Sequence, residues 1–394
     1  MLRHSLTAFG STFVIDSEYQ FIKELGQSSH GSVIAAKHRR SGEGFAIRKI
    51  ANMSTMKAAS MRYLREIKIL AHFSGHKNIA GLYDLDIVFH DNDAFDIYLF
   101  EELMEADLRA ILHSGQPLTD YHFQSLVYQA LCGLKYIHSA NVLHGNLKPG
   151  DLLVNSNCDL KICHFGLSRC YIPGESTSKP TETPEPMPEP GPFNPCWYRA
   201  PETMPSFAYP TPAIDIWSLG CIFAELLRGT PFFRGRDYVD QLNIILHYLG
   251  SPTEDALGHM GSPRVQDYIR SLPVKRPVPF STLFPQGNPL GIDLLSQMLC
   301  LDPAERVSSK KALNHPYLQV WYEPEDMPSC ETKFDLDFET GTNLDGIKKL
   351  IIHNIDSFRD KIRAEGRSTI HIKIDDNMSS PIKEYHLSQV EPPE

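Results

Sequence analysis

His144-Gly145-Asn146-Leu147-Lys148-Pro149-Gly150-Asp151 sets an amide, an amine and a carboxylate into one short loop punctuated by two glycines and a proline. On its N-terminal side, beyond Thr119 as N-cap, Phe123, Leu126, Val127, Ala130, Leu131, Leu134 and Ile137 keep i, i+3, i+4, i+7 spacing, so a long amphipathic helix leads towards the loop. Beyond the loop, Ile214 to Leu227 is apolar nearly all round, as a helix buried at the centre of a helical lobe is. Further helical patterns run through Tyr238 to Leu249 and Gly291 to Leu301. In the other direction, Tyr19 to Ile50 alternates apolar and polar residues between Gly26, Gly31, Gly42 and Gly44, the pattern of antiparallel hairpins. Met61, Leu64, Ile67, Leu70 and Ala71 form a helical pattern, and Ile97 to Phe100 returns to a strand. The expected class is α+β, with a small β-rich first lobe and a larger helical second lobe.

The chain has 394 residues and is 42% hydrophobic, enough for a sizeable core. Its formal charge of -10 argues against the broad basic surface that nucleic-acid binding needs, and Lys37-His38-Arg39-Arg40 beside Ser41-Gly42 reads as a solvated hairpin tip. The eight cysteines contain no C-x-x-C pair and Met1 to Ser17 has no apolar stretch of signal-peptide length, so reduced thiols in cytoplasm or nucleus are expected. Ser218 to Leu227 is too short to span a bilayer and is interrupted by Glu225, so no membrane role is expected. Prolines recur among Ser, Thr and Glu from Pro173 to Pro195, a composition for a surface loop. After Tyr322 an acidic segment, a helix around Leu344 to Phe358 and a final run to Glu394 read as a tail wrapped on the body.

Six landmarks occur in register: Gly26-Gln27-Ser28-Ser29-His30-Gly31-Ser32-Val33, Phe45-Ala46-Ile47-Arg48, Glu66, the opening loop, His164-Phe165-Gly166 and Ala200-Pro201-Glu202. Their order resembles protein kinases. Glu101-Glu102-Leu103-Met104-Glu105, Trp197-Tyr198-Arg199-Ala200-Pro201-Glu202 and Asp215-Ile216-Trp217-Ser218-Leu219-Gly220 resemble mitogen-activated protein (MAP) kinases. Gly115-Gln116-Pro117-Leu118-Thr119-Asp120, Gln129 to Ser139 and Asp237-Tyr238-Val239 are most similar to the fungal cell-wall-integrity MAP kinase and its catalytically degenerate paralogue. The resemblance covers about Tyr19 to Cys330. It implies a two-lobed kinase fold: a segment 1–18, a kinase-like domain 19–320 (first lobe about 19–103, second about 104–320, with a Pro-rich activation-loop segment 167–199) and an extension 321–394.

Carried over position by position, the resemblance puts the chemistry in difficulty. The phosphate-holding lysine is Arg48, which keeps the charge and can pair with Glu66 but not as a compact ammonium. Asn146 stands for the catalytic aspartate, and an amide cannot act as the base; Lys148 is kept. The asparagine that helps hold the second metal is Asp151, and the main metal-binding aspartate is His164, a poor magnesium ligand. A transition-metal site of Cys163, His164 and Asp151 is the weaker reading, because neighbouring residues on a strand face opposite ways. Ser28 replaces a loop glycine, whereas Gly26, Gly31, Val33, Ala46, Leu103, Met104 and Leu153 keep the walls that would hold adenine. ATP binding and plain core packing both remain open for those residues.

Counting back from Trp197, the family's Thr-x-Tyr switch falls on Pro190-Gly191-Pro192, and Gly145 and Cys196 replace two arginines, although Arg65 and Arg169 remain. Thr181-Glu182-Thr183 upstream reads as a candidate shifted remnant of the switch, and Thr183-Pro184 as a candidate site for a proline-directed kinase. The acidic docking patch falls on Glu323 and Asp326, beside Trp321 and Tyr322; a solvated acidic turn is the bland alternative. By resemblance, partners are an upstream kinase, an active MAP kinase or a transcription factor. The expectation is a signalling pseudokinase that acts by docking or scaffolding, against a low-activity ATP-dependent Ser/Thr kinase with a rearranged site or a decayed duplicate without a role.

Overall fold

A computed structural model describes residues 2–28, 31–51, 53, 57–90, 94–173, 195–204, 211–260, 263–339 and 341–364. They fall into two compact units. In the first, β1 (Arg3–Ala8) and β2 (Ser11–Asp16) make a hairpin, and β3 (Tyr19–Ser28), β4 (Gly31–His38), β5 (Gly44–Ile50), β6 (Leu82–Phe89) and β7 (Phe95–Glu102) form an antiparallel sheet of order β3-β4-β5-β7-β6. The hairpin was not legible in the sequence. Its Ala8, Phe13 and Ile15 are buried against Ile34, Phe45, Ile47, Tyr98 and Phe100 of the sheet, and the Tyr98 hydroxyl accepts from the Val14 amide at 3.0 Å. Strand alternation sends Lys49 to that side, where it pairs with Asp96 at 2.9 Å, and leaves its neighbour Arg48 for the other face.

Helix α1 (Lys57–His72) buries Met61, Leu64, Ile67 and Leu70 as its periodicity requires. The first unit also contains the C-terminal helix Leu344–Ala364, longer than the sequence pattern indicated, which packs on α1 and β6. Its Ile347, Ile351 and Ile355, four apart, are fully buried, each worth about 1.5–3 kcal/mol. Arg359 of this helix and Arg3 of β1 both reach the buried Asp86 carboxylate, at 2.8 and 2.9 Å.

In the second unit, α2 (Asp120–Ser139) starts at Thr119, where a capping box with His122 satisfies the exposed end. The unit also contains α3 (Ala213–Arg228), buried along almost its whole length, α4 (Tyr238–Leu249) and α5 (Pro289–Met298), with α3 packed against both α2 and α5. The short strands Ala106–Asp107, Leu152–Val154 and Leu160–Ile162 form a three-stranded sheet next to the loop quoted at the outset. Among the described residues no helix is long and apolar enough to cross a membrane.

Candidate functional site

The first unit holds Gly26, Gly31, Val33, Ala46, Arg48, Glu66, Leu103, Met104 and His164. Sheet register sets Val33 opposite both Gly26 and Arg48, and Ala35 opposite Ala46. Ala35, Ala46 and Leu103, with Val33, Ile22 and Leu25 packed against them, make a continuous apolar wall; Met104 is buried but stands outside that cluster. Gly31, at φ +116, could carry no side chain, since a Cβ there would sit 2.3 Å from the Lys49 carbonyl oxygen.

Arg48 is 1% exposed and held from two sides. Its NH1 and NH2 groups donate to Glu66 at 3.2 and 3.1 Å, and its Nε and NH2 donate to Glu101 at 3.0 and 2.9 Å. The pair with Glu66 matches expectation, but the second carboxylate does not. Glu101 follows the apolar run Ile97 to Phe100, and a charge in that place was the available signal. Burial alone would depress the guanidinium's pKa, but Glu101 and Glu66 raise it well above the usual value. Four of the five N–H groups of the fork are therefore committed to protein carboxylates.

Arg65, which precedes Glu66, is as buried as Arg48: it donates to the Gly166 carbonyl at 2.8 Å and to both Glu339 oxygens at 2.6 and 2.8 Å. Nothing local in the sequence marks Glu339. Phe165 is fully buried and its ring lies 5.9 Å from Phe73, so the His164-Phe165-Gly166 segment is fixed to α1. His164 itself holds φ +66, a left-handed conformation that costs a non-glycine residue about 1 kcal/mol or more.

The second unit holds Asn146, Lys148, Asp151, Leu153, Glu323 and Asp326. The buried Asp215 carboxylate accepts from the His144 and Gly145 amides at 2.9 and 2.8 Å and pairs with His138 at 2.8 Å, which pins the loop backbone. Burial pushes the Asp215 pKa up, yet His138, His144 and the Gly145 amide together bring it below the ordinary value. Gly145 has φ +79, and a Cβ there would meet the Leu167 carbonyl at 3.1 Å, so glycine avoids strain at this position. Lys148 lies 3.8 Å from Asp151, a loose pair in which the carboxylate is buried. Among the described residues there is no cluster of three or more His, Cys, Asp or Glu that could hold a metal. The residues fit the base of a nucleotide through the apolar wall. They do not reproduce a magnesium-bound triphosphate site, because His164 offers nitrogen to an oxygen-seeking cation and Arg48 is already engaged.

Residues 19–318 match the protein kinase domain family. The chain is 52% identical to mitogen-activated protein kinase mpkA of Aspergillus fumigatus, over 93% of this chain and 84% of that protein. It is 52% identical to mitogen-activated protein kinase MPS1 of Pyricularia oryzae, over 92% and 85%, and 48% identical to SLT2/MPK1 of Saccharomyces cerevisiae, over 91% and 73%. The chain belongs to the mitogen-activated protein kinase family. Its similarity runs further than the Tyr19 to Cys330 stretch expected, since 368 residues align with mpkA.

Within this MAP kinase the anchor of the activation-segment end is in place: Arg306 donates to both Glu202 oxygens at 2.5 and 3.1 Å and stacks on Trp217. Pro190-Gly191-Pro192, Thr181 and Thr183 lie outside the described residues. Glu323 is exposed and Asp326 half-buried at the turn Pro324–Asp326, where the Tyr128 hydroxyl fixes the Glu323 backbone at 3.0 Å. Trp321 packs on Tyr121 at 4.5 Å beside them.

Proposed function

We propose that this MAP kinase family member works in a fungal stress or cell-wall-integrity pathway chiefly by binding proteins, with phosphoryl transfer strongly curtailed. The observation that carries the reading is the fourfold engagement of Arg48 by Glu66 and Glu101, joined to the amide at Asn146 and the imidazole at His164. Phosphoryl transfer depends on positioning and on neutralising charge, and the groups for proton acceptance, phosphate contact and the main metal are all altered together. ATP is the nucleotide that a kinase domain implies, and magnesium is the weaker part of that inference. Docking through Glu323 and Asp326 would recruit an upstream kinase, an active MAP kinase or a transcription factor, in cytoplasm and nucleus, with 19–320 as the kinase-like domain and 321–394 as its extension.

A specific observation favours a second reading, a low-activity ATP-dependent Ser/Thr protein kinase. The relatives matched are named as mitogen-activated protein kinases along nearly the whole chain, and the Asp215 and Glu202–Arg306 framework supports a formed catalytic loop carrying Lys148 and Asp151. The test is radiolabelled phosphate transfer by the purified chain, against a heat-killed control. The companion variants are Asn146→Asp with Asp151→Asn and His164→Asp, made with and without Arg48→Lys. Transfer confined to the variants supports the binding reading. Metal-dependent transfer by the unmodified chain, lost in Lys148→Ala or Asp151→Ala, establishes the second.

A further inference from the structure

We propose that the apolar wall formed by Val33, Ala35, Ala46 and Leu103 takes an uncharged purine nucleoside in preference to a magnesium-bound nucleoside triphosphate. The inference rests on the reading that this wall still receives an adenine base. The wall itself is complete and apolar: Ala35, Ala46 and Leu103 are buried, with Ile22, Leu25 and Val33 packed beside them. A flat heteroaromatic ring gains there by removing apolar surface from water, with no need of charge.

What lies past the wall on the same strand reverses the usual electrostatics. Val33 is opposite Arg48 in the sheet register, so the guanidinium stands one strand over from the end of the wall. In isolation it would attract phosphate. Here its positive charge faces two carboxylates, Glu66 and Glu101, so the trio carries a formal charge of -1. Glu66 is 1% exposed and Glu101 14%, which limits screening by water. A phosphate that sought Arg48 meets a single N–H not already given to a carboxylate, and any second contact has to displace Glu66 or Glu101 from the guanidinium. The usual remedy is a divalent cation that neutralises the phosphates, but the position that would hold it is His164, whose imidazole is ill suited to magnesium. Each phosphate added to the nucleoside therefore brings negative charge towards a net negative, poorly screened group. The sugar and base bring none.

The experiment is a titration series of the unmodified chain with adenosine, AMP, ADP and ATP, by calorimetry and thermal shift, with EDTA and then with Mg²⁺. The expected order of affinity is adenosine first and ATP last, and Mg²⁺ should change the ATP affinity by less than about threefold. Glu101→Gln removes one negative charge and should narrow the ATP-to-adenosine ratio of Kd by about fivefold to tenfold. ATP binding tighter than adenosine, or strengthened tenfold by Mg²⁺, overturns the inference and leaves the adenine-pocket reading standing. Binding of neither ligand overturns both, and the wall is then core packing alone. A ratio that Glu101→Gln leaves unchanged overturns the electrostatic cause. Because the ligand series uses the natural chain, it decides the order of affinity even if that variant does not fold.

Discussion

Replacing Glu339 by alanine tests whether the C-terminal extension holds α1 in place. The change strips two hydrogen bonds from Arg65, leaving a guanidinium that is 1% exposed and keeps its bond to the Gly166 carbonyl. Breaking a fully buried ion pair costs about 3–5 kcal/mol, but Glu339 is 23% exposed and water can reach the vacated place, so about 2 kcal/mol is the better figure. If that loss falls on local opening of α1, protection of its amides drops by roughly 30-fold, at about 1.4 kcal/mol per decade. Hydrogen exchange followed by mass spectrometry reads this over Lys57–His72, with β4 and β5 as internal controls. Exchange rates in α1 that stay within twofold of the unaltered protein, at equal rates in the controls, would refute the reasoning. Glu339→Asp, which keeps the charge on a shorter arm, should fall between the two.

The Asp215 carboxyl is held below its ordinary pKa of 3.8, so the stability it adds is complete above about pH 4 and is lost as pH falls through the lowered folded value; Asp215→Asn should be less stable at pH 7 and show a flatter acid limb in pH-dependent melting. Gly31→Ala forces a Cβ against the Lys49 carbonyl at a positive φ, and should cost about 2 kcal/mol, read as a fall in urea midpoint without a change in slope. Glu323→Lys with Asp326→Lys should weaken a basic docking peptide by about tenfold in fluorescence anisotropy, and added salt should weaken the unaltered protein in the same direction; equal affinity for both proteins would remove the docking role.

Periodicity made much of the helical unit legible. Thr119 caps α2 as its residue type indicates, and Tyr238–Leu249 is the helix its spacing gives, because each depends on neighbours within a few turns. The hairpin Arg3–Asp16 escaped notice because its outer strand carries Arg3, Ser5 and Thr7 and no Asn-Gly turn announces it. Strand β6 was hidden by Asp84 and Asp86, charges that make sense only with Arg3 and Arg359 brought in from the two ends of the chain. The same limit applies at the site. Arg48, Asn146, Asp151 and His164 could be named from their order, but Glu101 and Glu339 acquire a role only when folding carries them 53 and 274 residues to their arginines. Long-range charge pairing leaves little local trace.

The setting of Arg48 also bears on the direction in which this gene can drift. A lysine at that position alone would replace a planar fork, bonded four ways, with a compact ammonium that cannot span both carboxylates in the same geometry. Glu66 or Glu101 would then be held less fully in a place water scarcely reaches, and that single change would give a less stable protein. Glu101 thus acts as a ratchet. A lysine at this strand should be better tolerated once Glu101 has also changed, so the order of the two substitutions, and not their number alone, sets the stability along the path.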